Sequence, residues 1–230
     1  LGEGNKEEAN KQFSMLIYLE IILGAIFTII ALFVLGPVAK LLGADESMMS
    51  DCLVYGRILL IGMIAFILQN SFQSFMVVAE KPNFGLGISV IAGLTNMVLD
   101  FLFIYIFKWG VAGAAIATIT SQFVGAIIPM AYFAKENDTK LKLGKTKFEL
   151  STIVKTCTNG SSEMVTNLSM SLVNILFNMQ LMKFAGANGV SAYGIIMYVG
   201  FLFVGTYMGY SVGTAPIISY HYGANNVEEL

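Results

Sequence analysis

The chain has 230 residues, of which 56% are hydrophobic and only 12% are charged. A typical soluble domain carries about 25% charged residues, so this composition excludes an ordinary soluble domain and indicates a membrane protein. The net charge of -2 leaves no surplus of basic residues to neutralise phosphates, which argues against nucleic-acid binding. One histidine and two cysteines are too few for a metal site built on those ligands.

Six apolar stretches reach the length of a membrane-spanning helix, which needs about 17 to 25 residues. Their apolar residues do not alternate with polar ones as they would in a membrane β-strand. The predicted fold is therefore an all-α integral membrane protein with six transmembrane helices. We expect these helices at about 13–39, 52–79, 83–107, 110–134, 152–182 and 190–221.

The basic residues are divided unequally between the two sets of helix ends, nine against four. The positive-inside rule places the richer set in the cytoplasm. We therefore expect a multi-pass protein of the cell membrane. The longest polar stretch, 135–151, becomes a cytoplasmic linker that separates a four-helix part, 1–134, from a two-helix part, 152–230. The loops expected in the cytoplasm are 1–12, 80–83, 135–151 and 222–230.

Two short segments, 1–9 and 222–230, share a Gly-polar-Glu pattern. Because an even number of predicted helices separates them, both fall on the same side of the membrane, as a tandem repeat about the membrane normal requires. The pattern predicts that the chain is one period of a larger protein with two six-helix halves. A chance similarity is the alternative.

A stripe of polar side chains crosses the fifth predicted helix. An ionisable side chain at mid-membrane costs at least about 2.5 kcal/mol, so an acid there points to function. At helical spacing the stripe covers an arc of about 80°, and such a face lines either a water-filled cavity or a polar seam between helices. The acid at its start favours the cavity. The stripe consists of Glu163, Asn167, Ser171, Asn174 and Asn178.

Two further acids lie within predicted helices. Asp100 is in the outer half of the third helix, with Asn96 one turn earlier on the same face. A buried carboxylate there can hold a proton or coordinate a cation together with the Asn96 amide oxygen; a structural acid is the alternative. Glu20 lies about 10 Å inside the first helix, near enough to its end to reach the headgroups by snorkelling.

Several segments along the chain have the character of family signatures. The most specific is GVAGAAIAT at 110–118, within a membrane helix. The others are Glu80-Lys81-Pro82, Asn96-Met97-Val98-Leu99-Asp100, Ser121-Gln122, Ser191-Ala192-Tyr193-Gly194 and Ala215-Pro216-Ile217-Ile218 with Tyr222-Gly223-Ala224. Together they resemble the multidrug and toxic compound extrusion (MATE) family over nearly the whole chain.

The resemblance implies a twelve-helix, two-lobe transporter, of which this chain supplies about helices three to eight. It implies multidrug efflux of organic cations and other amphipathic compounds by H⁺ or Na⁺ antiport with alternating access. It implies no enzyme activity, no catalytic residue and no cofactor or metal beyond the coupling ion. The expected partners are the lipid bilayer, the small-molecule substrates and the remaining helices. The expected cation-coupling or cavity residues are Asp100, Glu163, Asn96, Asn167, Asn174 and Asn178.

Two residues depart from the family pattern. Phe101 stands where many relatives have proline after the acid, so we expect this helix to bend less. Glu163 lies nearer the start of its helix than the coupling glutamate of some relatives. Two alternative functions remain: a lipid-linked oligosaccharide flippase of the same superfamily, which would need basic residues in its cavity, and a non-transporting membrane module.

Overall fold

The computed structural model describes residues 5–41, 46–139 and 141–226. Within those ranges the chain is helical and has no strand, which confirms the all-α fold. Four residues at each end of the chain, and so parts of the 1–9 and 222–230 similarity, lie outside the described residues. The helices are α1 (Lys6–Leu41), α2 (Glu46–Ile61), α3 (Met63–Val78), α4 (Pro82–Asp100), α5 (Gly110–Ala134) and α6 (Leu150–Gly223).

The chain forms two compact units. The first consists of Leu1–Thr146 with Tyr220–Leu230, and the second of Lys147–Ser219. The boundary after Thr146 falls within the predicted linker, 135–151. The first unit contains the hydrophobic core that is described below.

Helix α1 packs along α2 and α3 in a single antiparallel register. As the residue number falls along α1, it rises by nearly the same amount along the partner helices. The contacts cover about 22 residues of α1, or about 33 Å, which is close to the thickness of the hydrocarbon core. We therefore expect α2 and α3 together to form one bent span and not a re-entrant loop. The contacting pairs are Leu35 with Gly56, Thr28 with Leu60, Gly24 with Ile64 and Phe13 with Phe75.

The bend between α2 and α3 is 49° and lies at Gly62. Gly62 is buried, and a Cβ atom at this position would collide with the side chain of Ile119 on α5. Because its φ of -79° suits any residue, this glycine is required for space and not for conformation. The absence of a side chain allows α5 to cross the bend at close range.

Helix α5 is the central element of the first unit, since it packs against α2, α3 and α4. Its buried face is made mostly of small residues, which let neighbouring membrane helices approach closely. At its C-terminal end Phe133 joins an aromatic cluster, with ring centroids 5.0 Å from Phe13 and 5.9 Å from Phe72. The buried residues of α5 are Gly113, Ala115, Ala117, Ser121, Gly125, Ala126, Pro129 and Phe133.

The first part of the predicted linker, 135–146, is fixed to the helices of the first unit, and we call this segment the strap. The Leu143 amide donates to the Phe133 carbonyl at 2.8 Å, and the Gly144 amide donates to Ser14 Oγ at 2.9 Å. The Thr146 hydroxyl donates to the Lys11 carbonyl at 2.8 Å. The described part of the strap thus joins the end of α5 to the beginning of α1.

Asp138 ties the strap to the turn between α3 and α4. Lys81 donates from Nζ to Asp138 Oδ2 at 2.5 Å, and Tyr132 donates its hydroxyl to Oδ1 at 2.7 Å. The hydrogen bond from Lys81, followed by that from Tyr132, lowers the pKa of Asp138 to about 2. Asp138 is therefore ionised at physiological pH. These bonds bring the predicted loop 80–83 and the strap to the same end of the first unit.

Helix α6 is interrupted at Gly186, which has non-helical angles of φ 63° and ψ -161°. This break agrees with the gap between the predicted helices 152–182 and 190–221. The part after the break, Asn188–Gly223, is long and apolar enough to cross a membrane. Each part of α6 is therefore a helix in its own right.

The described residues contain four helices that are long and apolar enough to cross a membrane, and the bent α2–α3 pair counts as a fifth if it forms one span. The fifth predicted span, 152–182, is helical, but Lys155, Glu163 and several amides make it more polar than the others. A membrane crossing at 152–182 stays a prediction. The four spans are Lys6–Lys40, Pro82–Ile106, Gly110–Ala134 and Asn188–Gly223.

Candidate functional site

Asp100 lies where the hydrogen-bonding pattern of the helix changes. Helix α4 ends at Asp100, and the chain continues as a π-helix, Phe101–Ile106. Such π-helical turns inside α-helices occur frequently at functional sites. Asp100 Oδ1 is buried and has no hydrogen-bond partner among the described residues. An oxygen in this state is available to bind a proton or a cation.

Asn96 lies one turn before Asp100 on α4, and both residues are half-buried. The α-helical spacing of four puts them on the same face, as the sequence predicts. Phe101, which stands in place of proline, is the first residue of the π-helix. The irregularity after the acid is thus a wider helical turn and not a proline bend.

The predicted stripe lies on the first part of α6, in the second unit. Glu163, Asn167 and Asn178 are exposed, whereas Asn174 is half-buried. Asn167 donates its side-chain amide to the Glu163 carbonyl at 2.9 Å, and Ser171 donates to the Asn167 carbonyl at 2.9 Å. Two members of the stripe therefore bond to the backbone of their own helix, and the Glu163 side chain is not sealed in side-chain packing.

Tyr193 is a further residue of this polar face that the sequence did not assign to the site. Its hydroxyl donates to Asn174 Oδ1 at 3.1 Å, and its ring lies 5.0 Å from that of Phe177. The contact bridges the break at Gly186 and connects the two parts of α6. The sequence showed Tyr193 only as part of a family signature. Its contact with Asn174 could not be predicted, because residues 19 positions apart on either side of a helix break share no helical periodicity.

Glu20 does not snorkel as the sequence suggested. Its Oε1 accepts a hydrogen bond from the Ser71 hydroxyl of α3 at 2.8 Å. Its Oε2 is buried and has no hydrogen-bond partner among the described residues. The side chain is therefore directed into the interface between α1 and α3.

The polar residues of α3 connect three helices. Gln73 donates to Ser89 Oγ of α4 at 2.6 Å, and Ser89 in turn donates to the Gly85 carbonyl at 3.0 Å. Gln69 lies against Gly125 of α5, where a Cβ atom would be 2.7 Å from Gln69 Cδ. These side chains line a small recess with room for about one water molecule. The geometry assigns them to helix packing and not to a substrate cavity.

Comparison with known proteins agrees with this architecture. An all-helical membrane protein with isolated carboxyl groups inside its spans has the features of a membrane transporter. The MatE family model matches residues 1–102 and 163–230, and the chain belongs to this family.

Similar proteins include multidrug export proteins and MATE transporters. The chain is 28% identical over 229 residues to the multidrug export protein MepA of Staphylococcus aureus strain MRSA252, covering 96% of this chain and 50% of the relative. It is 25% identical, with a TM-score of 0.90, to a multidrug resistance MATE family transporter of the MOP superfamily in the outward-facing conformation, covering 100% of this chain and 51% of the other. This chain therefore spans about half the length of its relatives.

Another solved structure is similar over the same extent. A MOP superfamily transporter from Pyrococcus furiosus, described as having a binding pocket of reverse polarity that suggests a different function, is 25% identical with a TM-score of 0.91. It covers 100% of this chain and 51% of the solved chain. The same helical architecture thus occurs with pockets of different polarity.

Proposed function

We propose that the complete protein carrying this chain is a secondary active multidrug efflux transporter. It exports organic cations and other amphipathic compounds by alternating access, in exchange for H⁺ or Na⁺. The observation that carries the proposal is the buried, unpartnered Oδ1 of Asp100 at the junction of α4 and the π-helix. The name of the similar MepA proteins, multidrug export protein, supports the substrate class.

Asp100 is suited to bind the coupling ion because its carboxyl group is costly to leave both charged and uncompensated inside a span. Pro82–Ile106, which contains Asp100, is long and apolar enough to cross the membrane. A proton on Oδ1, or a sodium ion shared with the Asn96 amide oxygen, would remove that cost. Binding and release of the coupling ion then switch the Asp100 carboxyl group between a compensated state and a free, charged state.

The stripe on α6 is suited to line the substrate path. Asn167 and Asn178 are exposed and present amide groups that can bind polar parts of a substrate, while Glu163 offers a negative charge. Asn174, held by Tyr193, occupies a fixed position between them. An acid with several amides favours cationic, amphipathic compounds over anionic ones.

The proposed location is the cell membrane, with loops 1–12, 80–83, 135–151 and 222–230 in the cytoplasm. The Lys81–Asp138 bridge supports this arrangement, because it joins two of these loops at one end of the first unit. The lysines of the strap would then face anionic headgroups of the inner leaflet. The remaining helices of the transporter would complete the substrate path.

The test is ion-driven export by the complete protein in proteoliposomes. We expect Asp100→Asn and Glu163→Gln to reduce export of a cationic dye at least tenfold without reducing the amount of protein inserted. Asp51→Asn is the matched control, since Asp51 is an exposed carboxylate near the start of α2. If both variants export at the wild-type rate, neither acid belongs to the mechanism. Imposing the pH or sodium gradient separately identifies the coupling ion.

A flippase for anionic lipid-linked oligosaccharides is the second candidate, and one observation favours it. Arg57 lies inside the bent helix pair formed by Met49–Ile61 and Met63–Val78, and its side chain is exposed. A basic residue inside a span can bind a diphosphate. If the protein translocates a fluorescent lipid diphosphate and Arg57→Gln reduces that rate, the flippase is supported. If the protein moves neither the cationic dye nor the lipid diphosphate, it is a non-transporting module.

A further inference from the structure

The interface between α1 and α3 contains a carboxyl group that the proposed transport mechanism does not use. Glu20 projects from α1 toward α3, where Ser71 donates to its Oε1 at 2.8 Å. Its second oxygen, Oε2, is shielded from solvent and has no partner among the described residues. One oxygen of the Glu20 carboxyl group is thus hydrogen-bonded, and the other is buried without a partner among the described residues.

Buried apolar side chains lie next to Glu20 on α1 and next to Ser71 on α3. On α1, Ile17 lies one turn before Glu20 and is fully buried, and Gly24 lies one turn after it. On α3, Leu68 and Phe72 flank Ser71 and are also buried. The sequence of α3, Met63–Val78, contains no charged residue. An ionised Glu20 would therefore place a bare negative oxygen among hydrocarbon side chains.

Charged and titratable groups lie on both sides of Glu20 along α1. Lys142 and Lys145 belong to the strap, which contacts α1 from Asn10 to Tyr18, two residues before Glu20, and the Tyr18 hydroxyl donates to the Gly144 carbonyl. Tyr132 and Lys135 lie near Phe133, which packs on Phe13.

The acidic and basic residues of α2 lie toward the opposite end. Gly56 contacts Leu35, and this places the neighbouring Arg57 about 22 Å along the axis of α1 from Glu20. Glu46, Asp51 and Tyr55 precede it on α2. The described contacts of Glu20 therefore include no cation that would compensate a negative charge on Oε2.

We propose that Glu20 is a proton-binding site within the membrane, separate from Asp100 and Glu163. The proton is carried on Oε2, which turns the carboxylate into a neutral carboxylic acid, while Oε1 becomes the carbonyl oxygen that accepts the Ser71 hydrogen bond. A metal cation would need several oxygen ligands, whereas Ser71 Oγ is the described polar partner here. Proton binding at Glu20 does not depend on whether the protein exports drugs.

Infrared spectroscopy of the complete protein in lipid membranes tests this proposal directly, because the carbonyl stretch of a carboxylic acid is distinct from the bands of a carboxylate. At neutral pH we expect an acid band that is lost in Glu20→Gln and retained in Asp100→Asn. Glutamine keeps the shape of the neutral acid and can accept the bond from Ser71. If, at neutral pH, the Glu20→Gln spectrum differs from the wild-type spectrum only by the loss of carboxylate bands, the proposal is wrong.

Ser71→Ala provides a second test that does not depend on replacing the acid. Without the Ser71 hydroxyl, the carbonyl oxygen of Glu20 loses its hydrogen bond, and the acid band should move to higher frequency. Ser74→Ala, an exposed serine on the same helix, should leave the band in place. An acid band that does not move in Ser71→Ala would contradict the assignment of the proton to Glu20, even if Glu20→Gln failed to fold.

Discussion

Single residues without side chains determine how closely α5 approaches its neighbours. Gly62 gives room to Ile119, and Gly125 gives room to Gln69 of α3. At both positions an added methyl group would overlap with the neighbouring side chain, although the backbone of each glycine is compatible with alanine. Since membrane helices associate mainly through close packing, these positions carry stability that a hydropathy profile does not show.

Gly62→Ala should destabilise the complete protein by about 1–3 kcal/mol, because the added methyl group would overlap with Ile119. Thermal unfolding in detergent would show the loss as a lower midpoint. Gly87→Ala is the matched control, since no atom lies within 4 Å of a Cβ atom at this position of α4. The double variant Gly62→Ala, Ile119→Ala should recover most of the loss. A midpoint equal to wild type in Gly62→Ala would show that the helices adjust without cost.

Glu20 shows which part of a site sequence reasoning could not predict. A lone acid about 10 Å inside a predicted helix can either reach the headgroups or turn inward. The choice depends on Ser71, which lies 51 positions away and carries no signal of its own in the sequence. Asp100 and Asn96, in contrast, lie on the same helix, and their common face followed from helical spacing alone.

At the scale of elements, Asn137 organises the strap. Its side-chain nitrogen lies 3.2 Å from the Tyr132 carbonyl, 3.3 Å from that of Lys135 and 3.2 Å from that of Leu141. Its side-chain oxygen accepts from the Thr139 amide at 3.0 Å. One amide group thus holds backbone atoms on both sides of the turn that leads out of α5.

Asn137→Ala should loosen the strap, because these carbonyl groups would lose a common donor. We expect hydrogen exchange at the Leu143 and Gly144 amides to accelerate by roughly five- to 150-fold, as a lost hydrogen bond of about 1–3 kcal/mol implies. Asn83→Ala, at an exposed asparagine near the start of α4, is the control and should leave the exchange unchanged. Equal exchange rates in Asn137→Ala and wild type would mean that the strap is held by its other contacts.

The bent pair of α2 and α3 should place its two ends on opposite faces of the membrane, since its register along α1 covers the thickness of the hydrocarbon core. In a background without Cys52 and Cys157, a Ser50→Cys variant should react with an impermeant maleimide added outside intact cells. An Asn83→Cys variant should react only after the membrane is permeabilised. Both positions are exposed. Reaction of both with external reagent would indicate a re-entrant loop instead.

At the scale of the whole molecule, long apolar runs were sufficient to predict an all-helical membrane fold, and a break between the last two predicted helices is found at Gly186. The π-helix was not predictable, because a wider turn keeps the same apolar composition as an α-helix. The strap also looked like an ordinary polar linker. Its fixed conformation depends on bonds to Ser14 and Lys11, at distances of 130 and 135 positions along the chain.

The central helix α5 and the second part of α6 differ in how much of their apolar surface the described residues bury. In the central helix Gly110–Ala134, 33% of the most apolar segment is buried, whereas in Asn188–Gly223 the value is 0%. Gly200, Gly205 and Gly209 have no atom within 4 Å of the position of a Cβ atom, so their small size is not used by the described residues. We therefore expect lipid or other helices to cover these positions of α6 in the complete protein.

Residues 1–146, produced alone, should consequently form a stable membrane domain, while residues 147–230 alone should aggregate in detergent. The reason is that the described core, including Phe13, Phe72 and Phe133, lies within the first segment. Size-exclusion chromatography would compare the aggregation of the two segments. Hydrogen exchange at the strap amides would show whether the 1–146 segment is folded, and Asn137→Ala in that segment is the control for a loosened strap. A monodisperse 147–230 segment with stable helices would show that α6 buries enough apolar surface by itself. The prediction that other helices must cover α6 would then be wrong.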